Sequence, residues 1–348
     1  MKRVMPIKAI DLFCGAGGLT YGLQRAGINV EAGIDIDKAC EYAYRKNSGS
    51  EFILKPVEKL KAAELKKYFE GSKYTLLAGC APCQPFSLLR RGKSDESDKR
   101  WNLLKYFQKL AIELAPAFIT MENVPRLLEQ ENFKRFKTAL VKAGYYVFAD
   151  IVNSALYGVP QKRDRLVLLA SKLGPISLIS PTHKYRPRTV RQCISRLDPI
   201  LAGETNAIDP LHYSAGLSPL NLKRIKSSVP GGTWRDWPQS LITACHKRTS
   251  GKTYPSVYGR MSWDEPSPTI TTQYHGFGNG RFGHPEQNRA ISLREGAILQ
   301  SFPKSYQFVQ PGYPVEFTTI GRLVGNSVPV KLAQAIGRSF IKHLDEMR

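Results

Sequence analysis

An apolar segment at residues 7–13 runs directly into a glycine-rich loop, Cys14-Gly15-Ala16-Gly17-Gly18, and then into a segment with helical spacing. This order of strand, glycine turn and helix is typical of α/β domains, where the loop backbone approaches a ligand and the helix N-terminus attracts an anion. Asp35 follows Gly15 by 20 residues, where a carboxylate can bind ribose hydroxyls. Because the glycine spacing departs from G-x-G-x-x-G, we expect an adenosyl cofactor rather than a dinucleotide.

Apolar runs and amphipathic segments alternate through the first half of the chain, which predicts an α/β domain with a parallel sheet. We expect strands at 7–13, 30–34, 74–78, 118–121, 145–152 and 166–170, and helices at 19–26, 38–46, 101–114 and 330–344. From about residue 180, proline, glycine, threonine and aromatic residues become frequent, and three of the four tryptophans lie there. This change predicts a second domain that is loop-rich and partly β.

The overall charge favours a polyanionic partner but does not locate its binding face. The chain has 348 residues, with 51 lysines and arginines against 29 aspartates and glutamates, and a net charge of +22 that favours nucleic acid. Residues 171–288 carry +8 and the remainder +14, so the two parts are nearly equally basic per residue. The chain has no apolar run long enough to span a membrane, and its six scattered cysteines predict reduced thiols in a cytosolic protein.

A cysteine-containing loop, Gly79-Cys80-Ala81-Pro82-Cys83-Gln84-Pro85-Phe86-Ser87, follows the strand predicted at 74–78. Half of a zinc site is disfavoured because no second cysteine or histidine pair follows, and a redox dithiol is disfavoured by Pro82. An inert buried cysteine is the usual state of an isolated cysteine. We favour a nucleophilic Cys83 on a rigid turn at the carboxyl end of a strand.

Charged residues stand beside the next two strands. Glu122 directly follows 118–121, where side chains of an open α/β sheet point into the ligand crevice. A surface or helix-capping acid is the alternative. Arg163 and Arg165 alternate with Asp164, so we expect both to face one side and to clamp an anion or a carboxylate, with a solvated charge run as the alternative.

Four candidate groups, namely the glycine loop, Asp35, Cys83 and Glu122, each follow a separate predicted strand and therefore predict one crevice. In these motifs, and in their order from residue 7 to about 340, the chain resembles the DNA cytosine-5 methyltransferase family of bacterial restriction-modification type. The motifs are Asp11-Leu12-Phe13-Cys14-Gly15-Ala16-Gly17-Gly18, Pro82-Cys83-Gln84-Pro85-Phe86-Ser87, Glu122-Asn123-Val124, Gln161-Lys162-Arg163-Asp164-Arg165, the segment Arg289 to Pro303, and Gly325-Asn326-Ser327-Val328-Pro329.

The resemblance implies a Rossmann-like, S-adenosylmethionine-dependent methyltransferase domain at 1–181 and 316–348. A smaller target-recognition domain at 182–315 would include the penultimate motif. The expected reaction transfers a methyl group from S-adenosylmethionine to C5 of a cytosine flipped out of a specific double-stranded DNA sequence. It leaves S-adenosylhomocysteine, passes through a covalent bond between Cys83 and C6, and needs no metal. The expected setting is the bacterial cytoplasm, at nucleoid DNA and away from membranes, with a separately acting restriction endonuclease as a compatible partner.

Roles follow residue by residue from the same resemblance. The implied catalytic residues are Cys83, Glu122, Arg163 and Arg165. The implied cofactor contacts are Phe13, Gly15, Ala16, Gly18, Asp35, Ile36, Pro82, Leu103, Asn326 and Val328. We expect DNA contacts at Ser87, Arg90, Arg91, Lys93, Arg235, Lys247, Arg248 and Arg260.

The chain departs from the family pattern at a few positions. Pro56 stands where the family usually has an acid that binds the adenine amino group, which puts that contact in doubt. Gly296 and Ile298 replace the more usual alanine and arginine, and we expect both to be tolerated.

Three alternative functions differ in their sequence requirements. A tRNA-methylating branch shares the Cys83 and Glu122 motifs but carries a Cys-Phe-Thr triplet that the chain lacks. A catalytically inactive DNA-binding protein is disfavoured by the intact motifs. An adenine or cytosine-N4 methyltransferase would need an Asp/Asn-Pro-Pro-aromatic motif, which is absent from the predicted strand ends.

Overall fold

The computed structural model of the protein describes residues 7–82, 102–253 and 255–347. The chain divides into two compact units. The sheet unit comprises Met1–Tyr157, Asp164–Thr182 and Ser327–Arg348, and the loop unit comprises Gly158–Arg163 and His183–Asn326.

Seven strands of the described residues form one sheet in the order β3-β2-β1-β4-β5-β7-β6. They are β1 Ile7–Leu12, β2 Asn29–Asp35, β3 Glu51–Leu54, β4 Tyr74–Gly79, β5 Phe118–Asn123, β6 Tyr146–Asn153 and β7 Asp164–Ser171. The helices are α1 Gly18–Arg25, α2 Glu41–Ser48, α3 Ala62–Lys66, α4 Leu103–Leu114, α5 Glu131–Lys142, α6 Val190–Ile194, α7 Pro219–Lys226, α8 Ala244–Lys247, α9 Leu293–Leu299, α10 Phe317–Asn326 and α11 Val330–Glu346. No helix in the described ranges has the length and apolarity needed to cross a bilayer.

The sheet changes strand direction at one end. Strands β3, β2, β1, β4 and β5 are parallel neighbours, whereas β7 pairs antiparallel with both β5 and β6. The prediction of a parallel sheet is therefore confirmed for β1 to β5 and wrong for β7, which runs in the opposite direction. Strand β6, antiparallel to β7, runs in the same direction as β5. Parallel neighbours need a long crossover connection, and the short segment 154–163 between β6 and β7 favours antiparallel pairing instead.

Three elements of the sheet unit escaped the sequence prediction, namely β3, the five-residue helix α3 and α5. Strand β3 has only four residues, too few to show a clear alternation of buried and exposed side chains. Helix α5 buries Phe133, Phe136 and Leu140, which lie three and four residues apart and so share one helical face. That spacing was a usable signal for α5.

An apolar core on one face of the sheet holds the strands rigidly in place. All side chains of β5 are buried, and helices α4 and α5 pack together through Phe107 and Phe136, whose ring centroids lie 5.6 Å apart. Burial of such large rings gives strong hydrophobic stabilisation. The carboxyl ends of the parallel strands therefore form a firm platform for side chains.

The loop unit contains helices α6 to α10 and little β structure. Among its described residues, β pairing is limited to isolated bridges, such as Pro230 with Arg260 and Gly283 with Ala290, and extended strands are absent. The expected partly β character is reduced to these bridges. A cluster around Trp234, Trp237 and Phe277 forms an apolar core.

Candidate active site

The glycine loop turns tightly at the carboxyl end of β1. Phe13 and Gly15 have positive φ angles of 59° and 53°. The backbone N–H of Gly15 donates to Oδ2 of Asp35 at 2.9 Å, and that of Cys14 donates to the Ile34 carbonyl at 3.0 Å. These two bonds fasten the loop to the end of β2. A Cβ atom on Gly15 would meet no atom of the described part of the chain within 4 Å.

The end of β2 combines a carboxylate with exposed apolar surface. Asp35 Oδ1 accepts a hydrogen bond from the Asp37 N–H at 2.9 Å, and its Oδ2 accepts the bond from Gly15 described above. Ile36 is 70% exposed, and Leu54, on the neighbouring strand β3, is 49% exposed. An acceptor for ribose hydroxyls beside exposed apolar side chains fits a nucleoside. These residues are therefore compatible with an adenosyl cofactor.

The position that usually carries an adenine-binding acid remains without one. Pro56 precedes a short 3-10 turn, Val57–Lys59, and Glu58 in that turn is exposed. The expected departure from the family pattern is therefore present in the folded chain.

A buried polar cluster lies beneath the glycine loop. Asp11 is fully buried in β1, and its Oδ2 accepts a hydrogen bond from the Thr20 hydroxyl at 2.7 Å, while Thr20 also lies 3.1 Å from the Tyr44 hydroxyl. Burial raises the pKa of Asp11 to about 7, and the negative charge of Asp35 adds to this shift. Asp11 therefore links β1 to the first turn of α1.

Glu122 lies at the carboxyl end of β5 and is 3% exposed. Its Oε1 lies 3.0 Å from Nε of Arg165, which belongs to β7. Oε1 accepts no hydrogen bond from the described residues, so this contact is an ion pair without hydrogen-bond alignment. Oε2 accepts a hydrogen bond from the Cys80 thiol at 3.1 Å. The sheet thus brings together a carboxylate, a guanidinium and a thiol.

The segment that follows β4 is hydrogen-bonded to β1 and to β5, the two strands that flank β4. The Cys80 N–H donates to the Leu12 carbonyl at 3.2 Å, and the Asn123 side-chain amide donates to the Ala81 carbonyl at 2.9 Å. The described residues end here at Pro82. The predicted nucleophile Cys83 and four of the predicted DNA contacts lie outside the described residues: Ser87, Arg90, Arg91 and Lys93.

Arg163 and Arg165 make different contacts. Arg163 is 5% exposed, and its guanidinium donates to the carbonyls of Ile270 at 2.8 Å and Gly325 at 3.1 Å within the loop unit. Arg163 precedes β7, so strand alternation does not fix its direction, and the expectation that both arginines face one side stays a prediction. Arg165 contacts Glu122, whereas Arg163 ties backbone segments together.

The other predicted cofactor residues occupy varied positions. Ala16 is buried in the turn between β1 and α1, Gly18 is buried at the first position of α1, and Leu103 is half-buried at the first position of α4. Asn326 is exposed at the end of α10, in the loop unit, and Val328 is buried in the sheet unit. Their contacts with a cofactor stay predictions.

The predicted DNA contacts of the loop unit separate into two groups. Arg235, Lys247 and Arg248 are exposed. Arg260 is 4% exposed, and its guanidinium donates to four carbonyls, including Ser228 at 3.0 Å, and to the Asn288 side chain. All of its N–H groups are engaged within the unit, which argues against the DNA contact we expected. Sequence reasoning cannot distinguish a buried arginine from an exposed one.

Sequence reasoning also missed two residues of the site region. Asp11 is an acidic residue between apolar neighbours in a mostly apolar strand, which was a usable signal. The contact between Cys80 and Glu122 joins residues 42 positions apart and had no local signal. The described residues contain no cluster of three or more potential metal-ligating side chains.

Comparison with known proteins decides the family. The family model described as C-5 cytosine-specific DNA methylase matches residues 7–342. The chain belongs to this family. It is 48% identical over 340 residues to the type II methylase M.HgiDII of Herpetosiphon aurantiacus, covering 97% of this chain and 95% of that protein. It is 32% identical to the type II methyltransferase M1.HphI of Haemophilus parahaemolyticus, covering 97% and 87%.

Solved structures show that the methylase shares its fold with related enzymes. A prophage-encoded Escherichia coli protein assigned as a DNA modification methyltransferase superposes with a TM-score of 0.73 at 23% identity, covering 97% of this chain and 99% of that one. The Dnmt2 methyltransferase of S. pombe gives a TM-score of 0.64 at 17% identity, covering 98% and 99%. The methylase is thus a DNA cytosine-5 methyltransferase of the type II restriction-modification kind, and its relatives favour DNA over the tRNA alternative.

Proposed function

We propose that the methylase transfers a methyl group from S-adenosylmethionine to C5 of a cytosine flipped out of a specific double-stranded DNA sequence. The observation that carries this proposal is the buried Glu122 beside Arg165 at the end of β5. Strand β5 is the parallel neighbour of β4, the strand that leads to Cys83. Carboxylate and nucleophile would therefore come from adjacent strand ends.

The glycine loop and the end of β2 would hold the cofactor. Asp35 would accept hydrogen bonds from ribose hydroxyls, Phe13 and Ile36 would pack against the adenine, and Gly15 would let the ligand approach the backbone. Ala16, Gly18, Pro82, Leu103, Asn326 and Val328 complete the proposed set. When bound, S-adenosylmethionine supplies an electrophilic methyl group. The product would be S-adenosylhomocysteine.

The chemistry assigned to the chain's own residues begins at Cys83. Its thiolate would add to C6 of cytosine, which makes C5 electron-rich enough to attack a methyl group. Glu122, in its protonated form, would donate a hydrogen bond to N3 and stabilise the charge that develops on the ring. Arg165 would keep the Glu122 carboxyl oriented. Loss of the C5 proton would then restore the aromatic ring and expel the Cys83 thiolate.

The loop unit would supply most of the sequence recognition. Arg235, Lys247 and Arg248 are exposed and would contact phosphates or bases. Arg90, Arg91, Lys93 and Ser87 would contribute from the segment after Cys83. A cognate restriction endonuclease would act separately on the same sequence in the bacterial cytoplasm.

Covalent trapping tests this function. DNA carrying 5-fluorocytosine at the target should form an adduct through Cys83, because fluorine cannot leave as a proton does. Cys83→Ser should abolish turnover and trapping while cofactor and DNA binding persist. Mapping of the adduct to another cysteine, or methylation of tRNA in preference to DNA, would overturn the proposal. Bisulfite sequencing of methylated DNA would then identify the target sequence and base.

A further inference from the structure

The thiol of Cys80 contacts the proposed catalytic carboxylate and has no role in the mechanism above. Its Sγ lies 3.1 Å from Oε2 of Glu122, and the Glu122 side chain is only 4% exposed. Arg165 approaches the other oxygen, Oε1, at 3.0 Å. A glutamate side chain has several rotatable bonds, so one contact on each oxygen restricts the orientation of the carboxylate.

Cys80 is itself held firmly. Its backbone N–H donates to the Leu12 carbonyl of β1, and the next residue, Ala81, accepts a hydrogen bond from Asn123 of β5. The thiol is therefore placed by two neighbouring strands. This is the kind of support that a preorganised catalytic group requires.

The two carboxylate oxygens of Glu122 make different contacts. Oε2 accepts the thiol hydrogen bond, whereas Oε1 is buried and accepts no hydrogen bond from any residue in the described ranges. Oε1 pairs electrostatically with Arg165 but keeps its hydrogen-bonding capacity, so a ligand that supplies a polar partner there gains a hydrogen bond. Oε1 is therefore the oxygen best placed to engage a base nitrogen.

We propose that Cys80 is a positioning residue that holds Oε2 of Glu122 and so presents Oε1 to N3 of the target cytosine. This inference rests on the function proposed above. A thiol is a weak donor and carries no charge, so it orients the carboxylate without strongly stabilising the ionised form. Glu122 can then take up the proton that it donates to the base.

Two substitutions at Cys80 separate positioning from packing. Cys80→Ala removes the donor, and we expect kcat to fall about tenfold, the effect of losing one hydrogen bond that orients the carboxyl group. Cys80→Ser replaces the thiol with a stronger donor that favours the ionised carboxylate. We expect Cys80→Ser to retain most of the turnover at low pH. As the pH rises, its activity should fall at a lower pH than that of the wild-type protein. Cys80→Ala should lose activity at a higher pH.

The measurements are kcat against pH, S-adenosylmethionine affinity by calorimetry, thermal stability, and adduct formation with 5-fluorocytosine DNA. Cys193→Ala, on α6 of the loop unit, is the matched control and should match wild type in each. Unchanged turnover and pH profiles in both Cys80 variants would overturn the positioning role. So would equal losses of cofactor affinity and thermal stability in both variants. Failure of wild-type protein to form the adduct through Cys83 would instead overturn the proposed function itself.

Discussion

The sheet unit and the loop unit bury different kinds of side chain. The sheet unit has an apolar core, in which strands such as β5 and β7 are buried almost throughout. In the loop unit, by contrast, lie all four arginines that are buried among the described residues: Arg163, Arg260, Arg289 and Arg294. Strands satisfy each other's backbone groups, but a unit with only isolated bridges leaves many carbonyls to be paired in another way.

A guanidinium meets this need because it offers several N–H donors in a fixed fork. Arg289 shows the pattern, since it donates to the carbonyls of Ile200 and Ala290 and to both oxygens of Glu295. Although burial opposes ionisation, hydrogen bonds from Arg289 hold the pKa of Glu295 at about 2. Part of the net charge of +22 is therefore structural and unavailable to DNA.

The largest effect should come from Arg289→Met. Both side chains of the Arg289–Glu295 pair are 1% exposed, so the substitution leaves a buried carboxylate without its partner. We expect the free energy of unfolding of the loop unit to fall by about 3 to 5 kcal/mol. Denaturant unfolding measures this. Arg196→Met, at an exposed arginine of the same unit, is the control. If the two variants were equally stable, the buried Arg289 would not stabilise the loop unit, and the contrast drawn between the two units would fail.

Asp11→Asn tests the polar exception inside the sheet unit. Asp11 holds its proton in the folded state up to about pH 7 but loses it near its ordinary value of 3.8 when unfolded. Wild-type stability should therefore decline from about pH 4 to 7, by up to about 4 kcal/mol. The variant has no such charge and should show a smaller decline in melting temperature between pH 5 and 8. Parallel curves would show that Asp11 does not titrate in this range.

Gly296→Ala tests packing in the loop unit at a position where the family usually has alanine. A Cβ atom at Gly296 would overlap the Tyr274 ring, which is fully buried. We expect a loss of about 1 to 3 kcal/mol, the usual result of overpacking. Adding Tyr274→Leu should recover part of the loss, as measured by thermal unfolding. A fully stable single variant would mean that the ring can move aside.

The smallest effect on stability should come from the exposed charges. Lys247→Gln should leave the melting temperature unchanged. In a plot of the logarithm of the DNA-binding constant against the logarithm of the salt concentration, the negative slope should become smaller in magnitude by about one. Lys142→Gln, on α5 of the sheet unit, is the control and should leave the slope unchanged. An unchanged slope for Lys247→Gln would exclude a phosphate contact at this position.

The sequence by itself determined six strands of the sheet unit and the family, but not β3, α3, α5 or the direction of β7. Alternating apolar and amphipathic segments marked six strands, and the glycine loop with Asp35 marked a nucleoside-type site, because such patterns are local along the chain. The same patterns could not separate Arg163 from Arg165, although the two residues stand only two positions apart.

Only the tertiary structure decided which charged residues are buried and what they contact. Arg260 donates hydrogen bonds to backbone carbonyls, and Arg165 forms an ion pair with Glu122. The Cys80 thiol donates a hydrogen bond to the Glu122 carboxylate, 42 residues away. These contacts join distant segments, so no local spacing encodes them. The physical reason is that burial is a property of the packed chain. A buried polar group without a partner costs free energy, so the groups that become buried are the ones that are paired.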